Sequence, residues 1–126
     1  MNHQPEFHLQ RQVCNYLRLQ YPKALFMSDT IASVKLTEPQ ALRNAMIQKR
    51  GFKCPDVIIF EPRNGYNGLF IELKVETPYK LNGELKKSDH LEGQEKTMKD
   101  LRERNYKAEF AWSLEMAKEM IDKYFE

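Results

Sequence analysis

The apolar positions of the chain fall into runs of two kinds, one helical in spacing and one continuous. Between Glu6 and Leu19, the residues Leu9, Val13, Tyr16 and Leu17 recur at helical spacing and predict a first helix, ended by Pro22. Ala24 to Met27 predicts a short strand, followed by the polar turn Ser28-Asp29-Thr30. Thr37-Glu38-Pro39-Gln40 is a helix start, with Thr37 as N-cap, proline in the first turn and glutamine at the capping-box position. The helix it opens carries Leu42, Ala45 and Met46, has a basic outer face and should stop near Gly51. Asp56 to Phe60 and Leu69 to Val75 are apolar runs of strand length. The segment between them, Arg63-Asn64-Gly65-Tyr66-Asn67-Gly68, holds two Asn-Gly steps and predicts an antiparallel hairpin.

Thr77 to Ser88 is polar and lysine-rich, contains Pro78 and Gly83, and predicts a loop free to move. Asp89 to Arg104 predicts a helix with the stripe Leu91, Gln94, Met98 and Leu101. Lys107 to Trp112 predicts a strand, and Ser113 caps a last helix with Leu114, Ala117, Met120, Ile121 and Tyr124 inward. The order helix, strand, helix, hairpin, helix, strand, helix predicts an α/β fold: a mixed central sheet flanked by helices, with the hairpin at its middle.

Composition narrows the class. A chain of 126 residues that is 41% hydrophobic and 30% charged suits one domain spanning 1–126 with a packed core. No apolar run reaches membrane-spanning length, and no basic-then-apolar leader opens the sequence. Cys14 and Cys54 are too few for a disulfide framework or a zinc cluster, so free thiols in a reducing, cytoplasmic compartment are expected. The net charge of +2 says little, but its distribution says more. Lys35, Arg43, Lys49, Arg50 and Lys53 face one acid, Glu38, over that segment; Lys74, Lys80, Lys86 and Lys87 face Glu76 and Glu84. These segments flank the hairpin strands, as a track for a phosphate backbone would, although a solvated loop and helix face would look the same.

The chemistry sits where the apolar runs meet charge. Cys54-Pro55-Asp56 leads into the first hairpin strand, and Ile71-Glu72-Leu73-Lys74-Val75 lies on the second, sixteen residues from Asp56 to Glu72. On a strand, Leu69, Ile71, Leu73 and Val75 share one face, and Glu72 and Lys74 share the other. A carboxylate and an ammonium on an apolar strand are costly to bury unless paired or bound to a metal. Asp56 and Glu72 offer hard oxygen ligands for Mg²⁺ or Mn²⁺, with the Leu73 carbonyl between them as a further ligand. Lys74 would orient a water or stabilise charge on a phosphate. The alternative is a surface ion pair on a two-stranded ribbon. Glu6, three residues before Leu9, is either a first-turn acid favoured by the helix dipole or a further metal ligand. Gln94, on an apolar stripe, either satisfies a buried backbone group or faces a ligand.

Pro55-Asp56 followed by Glu72-x-Lys74, in a helix-led mixed α/β chain, resembles the PD-(D/E)XK nuclease superfamily with its restriction-endonuclease-like core. The likeness is closest to the small stand-alone VRR-NUC domains of bacteriophages and bacteria. It extends over Glu6, Gly51-Phe52-Lys53-Cys54-Pro55-Asp56, Ile71-Glu72-Leu73-Lys74-Val75, Gln94 and the closing strand and helix from Tyr106. The chain departs in its longer segment between Lys74 and Gln94 and in lacking a Val-Arg-Arg step. The resemblance implies metal-dependent hydrolysis of DNA phosphodiesters, in some small members on branched DNA such as Holliday junctions. It implies Asp56 and Glu72 as ligands, Lys74 as the catalytic lysine, Gln94 as an accessory site residue and Glu6 as an additional ligand. Symmetric cutting by so small a chain needs two sites, which predicts a homodimer. The competing expectations are a non-cleaving nucleic-acid-binding module and a phage interaction protein on the same fold.

Overall fold

The apolar runs assemble on both sides of one four-stranded sheet. The computed structural model describes residues 4–29 and 34–126, so Thr30 of the turn predicted after the first strand lies outside the described residues. Along the chain come α1 (Gln4–Gln20), β1 (Phe26–Ser28), α2 (Glu38–Ile47), β2 (Val57–Ile59), β3 (Leu69–Leu73), α3 (Asp89–Arg102), β4 (Lys107–Ala111) and α4 (Leu114–Phe125). The strands lie in the order β1-β2-β3-β4; β1, β2 and β3 pair antiparallel, and β4 runs parallel to β3 after the α3 crossover. The element order is the one that the sequence predicts.

The alternation of β2 and β3 divides the core into two. Val57, Ile59, Leu69, Ile71 and Leu73 pack against Leu9, Val13 and Leu17 of α1 and against Ala117, Ile121 and Tyr124 of α4. Ile58 and Phe70 turn the other way, onto Met98 and Leu101 of α3 with Ala108 and Phe110 of β4. A sheet covered on both faces explains why these strands read as continuous apolar runs, not as alternating ones. The hairpin turn is built by Asn64 and Gly65, both at positive φ (54° and 84°), between the paired Arg63 and Tyr66.

Three sequence expectations change. β3 ends at Leu73, so Val75 does not continue the buried face and is 53% exposed. α2 forms with its full Thr37–Gln40 capping box, yet none of its residues is buried and Leu42 and Met46 point to solvent. Its caps are local chemistry, whereas burial depends on whether another element reaches it. The segment 77–88 is anchored instead of free. Tyr79 bridges to Leu85, and its ring packs edge-on against Phe110 and Trp112.

Gly68, at the entry to β3, lets β2 come close. A Cβ there would lie 2.8 Å from the Ile59 carbonyl oxygen, a backbone atom that cannot rotate away. Gly68→Ala should therefore destabilise the fold by about 1–3 kcal/mol, as overpacking does. In urea denaturation the midpoint should fall with an unchanged slope; an unmoved midpoint would show that the two strands separate freely here.

Candidate active site

Pro55 creates the opening at the end of the hairpin. Val57 pairs with Ile71 and Ile59 with Leu69, so the same register sets Pro55 opposite Leu73. Proline has no N–H to give. The Leu73 carbonyl therefore meets no ladder donor at that position, and the Leu73 N–H turns to the Asp56 side chain, donating to Oδ2 at 2.8 Å. On the other edge, the Lys74 N–H donates to the Ala111 carbonyl at 2.9 Å and keeps the end of β3 fixed to β4. The Pro-Asp step thus holds a carboxylate and a carbonyl oxygen side by side at a strand end.

Glu72 points to the α3 side of the sheet. It is 5% exposed, and Gln94, 7% exposed, donates to its Oε2 from Nε2 at 2.9 Å. Gln94 is therefore bonded to the Glu72 side chain, a partner that neither of its two sequence readings named. Its Oε1 is buried and, among the described residues, has no hydrogen-bond partner. Asp56 and Glu72 are hydrogen-bonded to each other. Burial pushes the Asp56 carboxyl up, against the lowering pull of its bonds to Glu72 and the Leu73 N–H. Burial, then the neighbouring Asp56 charge, pushes the Glu72 carboxyl up to about 10. Two buried carboxyl groups this close oppose each other's ionisation, so without a cation the pair is held toward its protonated form.

A second layer fixes Asp56 from behind. The Ser28 hydroxyl and the Asp29 N–H both donate to the Asp56 carbonyl, at 2.7 and 3.0 Å. Gln10 of α1 donates from Nε2 to the Ser28 hydroxyl at 2.5 Å and to the Asp29 carbonyl at 2.8 Å. Neither Gln10 nor Ser28 was singled out by the sequence reading. A signal was present: Gln10 lies four residues after Glu6, on the same helix face.

These groups open into a cleft of about 930 Å³ whose walls include Glu6, Lys53, Asp56, Glu72, Lys74 and His90. Glu6 reaches the cleft wall, but among the described residues no group of three or more His, Cys, Asp or Glu is gathered closely enough to hold a metal ion. Of the basic residues expected to follow a phosphate backbone, Lys53 lines the cleft. Lys35, Arg43, Lys49, Arg50 and Lys87 are exposed away from its walls, and Lys80 and Lys86 form surface ion pairs with Glu84 and Glu76 at 4.0 and 3.8 Å. His90, unmarked by the sequence reading, lies among the charges of Lys74, Lys53, Glu6 and Asp56.

The donor set fits a hard divalent cation. It has two carboxylates, a backbone carbonyl without a ladder donor opposite, and a buried amide oxygen still in need of a donor. Mg²⁺ is commonly held by one or two carboxylates together with waters and substrate phosphates, so a third protein acid is not required. Metal-bound water would give the Gln94 Oε1 its missing donor. Both cysteines are free thiols. Among the described residues, no helix is long and apolar enough to cross a membrane.

Comparison with known proteins gives a fold and no family. No family model matches the chain, and no curated protein does. The solved structure of a VRR_NUC domain protein aligns over 98% of this chain and 90% of its own length, with a TM-score of 0.65 and 23% identity. The four-stranded mixed sheet with its flanking helices is therefore a VRR_NUC-like fold.

Proposed function

We propose that this chain is a divalent-metal-dependent deoxyribonuclease of PD-(D/E)XK type that hydrolyses DNA phosphodiester bonds. The observation that carries this reading is the buried Asp56–Glu72 pair, set at the opened end of the hairpin with Lys74 on the same cleft wall. A fold does not need such a pair: two repelling buried carboxyls cost stability and are retained where they hold a cation.

Asp56, Glu72 and the Leu73 carbonyl would hold Mg²⁺ or Mn²⁺, with Glu6 reaching toward it from α1. Bound there, the ion would polarise the scissile phosphate and lower the pKa of a water. The chain's own residues do the rest. Gln94 fixes the Glu72 carboxylate through its 2.9 Å bond, and the Leu73 N–H fixes that of Asp56. Lys74 is half-buried and, among the described residues, has no ion-pair partner, so its ammonium is available to the charge that builds on the phosphate oxygens. Branched DNA is the proposed substrate, and cutting both strands of it symmetrically would bring two chains together as a homodimer.

The test is a cleavage assay on labelled four-way junction, flap, duplex and single-stranded DNA, with Mg²⁺, Mn²⁺ or EDTA, and Lys74→Ala alongside. The expected result is cutting that needs metal and falls about 10²–10³-fold in the variant, the effect of removing one positioned charge stabiliser. Absence of cutting on every substrate by the folded protein would leave the non-cleaving binding module as the better reading.

A further inference from the structure

One face of α3 is lined by an unusual column: His90, Gly93, Gln94 and Thr97 recur at the i, i+3, i+4, i+7 spacing of a helix face that would otherwise be apolar. Gln94 is explained by Glu72. Gly93 and Thr97 meet the segment that carries Lys53, and His90 shares the cleft with it. The Thr97 hydroxyl, buried, accepts from the Lys53 N–H at 2.9 Å. The alkyl chain of Lys53 then lies across Gly93: a Cβ on that glycine would stand 3.3 Å from the Lys53 Cε and 3.6 Å from its Cγ. Glycine inside a helix is unfavourable, and here its missing side chain makes the groove in which the lysine stem lies. One turn earlier on the same face, His90 completes the wall, and both residues line the cleft that holds Asp56, Glu72 and Lys74. Among the described residues, Lys53 has no ion-pair partner, in contrast to Lys80 and Lys86.

We propose that Lys53, seated across Gly93, and His90 form a subsite for a backbone phosphate of DNA flanking the scissile one. The subsite rests on the nuclease reading for its place in catalysis, but its ligand is a nucleic-acid phosphodiester whether or not the chain cuts. An exposed lysine loses rotamer freedom when it binds; one whose stem is already laid in a groove and whose backbone is fixed by Thr97 has lost part of it beforehand. Lys53, exposed as Lys35, Lys49 and Lys87 are but lining the cleft with its stem against Gly93, therefore sets the position of the strand relative to the carboxylates. His90 adds a ring N–H donor beside it.

The measurement is the salt dependence of duplex binding, by fluorescence anisotropy in Ca²⁺, for wild type, Lys53→Ala, Gly93→Ala and the double variant. Loss of one phosphate contact should make the log–log salt slope shallower by about one. Lys53→Ala should show this loss. Gly93→Ala, whose methyl requires the Lys53 stem to give by a few tenths of an ångström, should show part of it although the lysine is intact, and the double variant should lose no more than Lys53→Ala. The melting temperature of Gly93→Ala should not fall, since alanine favours the helix, so a folding defect cannot imitate the effect. Cleaving wild type whose slope is shared by both single variants overturns the subsite and leaves the nuclease reading standing. The predicted slope changes in a protein that never cuts uphold the subsite and remove the nuclease reading. Folded wild type that binds no DNA overturns both.

Discussion

Asp56→Asn is expected to lose DNA cleavage by about three orders of magnitude, roughly 4 kcal/mol of transition-state stabilisation, while keeping its fold. The substitution is chosen for what it preserves. An asparagine Oδ1 still accepts from the Leu73 N–H, the 2.8 Å bond that ties the Pro-Asp step to the end of β3. The clamp from Ser28 and Gln10 acts on the Asp56 backbone and on Asp29, so it is indifferent to the side chain. Only the charge is removed, and with it one of the two carboxylate ligands. Asp56→Ala would be the poorer test, because it also leaves the Leu73 N–H without its acceptor. The readout is single-turnover cleavage in Mg²⁺ with circular dichroism on the same samples. Activity within tenfold of wild type would remove Asp56 from the reaction and with it the site as drawn.

How far this site could be read from the sequence depends on which forces place each residue. The hairpin was legible because Asn64-Gly65 dictates its own turn and the apolar runs either side fix the register. Asp56 and Glu72 came level with it; that Gln94 needs a partner was legible from its place on a buried stripe, but that the partner is Glu72 was not. Local chemistry was legible in α2 as well, where the capping box formed as predicted. The exposure of Leu42 and Met46 was not, since their environment is set by whether a distant element covers them. The same limit hid the Gln10–Ser28 clamp, a contact between residues eighteen positions apart whose members look like ordinary surface polars. It hid the Lys53–Gly93 contact too. A glycine within a helix invites explanation, but only the packing shows that a lysine stem fills its place.

Glu72→Gln should make the metal-free protein more stable than wild type, and the gap should widen with pH. In wild type, folding buries Glu72 beside Asp56 and raises its carboxyl to about 10, against about 4.3 for an unperturbed glutamate. Sign follows from linkage: a carboxyl raised in the folded state favours folding fully only below its unfolded pKa, and that contribution is lost as pH climbs toward the folded value. Wild type in EDTA should therefore lose stability steadily above about pH 4.3, amounting to roughly 4 kcal/mol by pH 7. Glutamine removes the titration while retaining an oxygen for the Gln94 Nε2 and an amide that can donate to Asp56, so the variant should match wild type near pH 4 and exceed it at pH 7 and above. Metal should reverse the order. Binding to the folded state stabilises wild type in proportion to the logarithm of metal concentration over Kd, whereas the variant has lost a ligand and should gain little. Denaturation midpoints at several pH values, with EDTA and with Mg²⁺, test both halves. A variant that tracks wild type through the whole pH range in EDTA would mean that the two carboxyls do not oppose each other, and that no need for a cation is built into this end of the sheet.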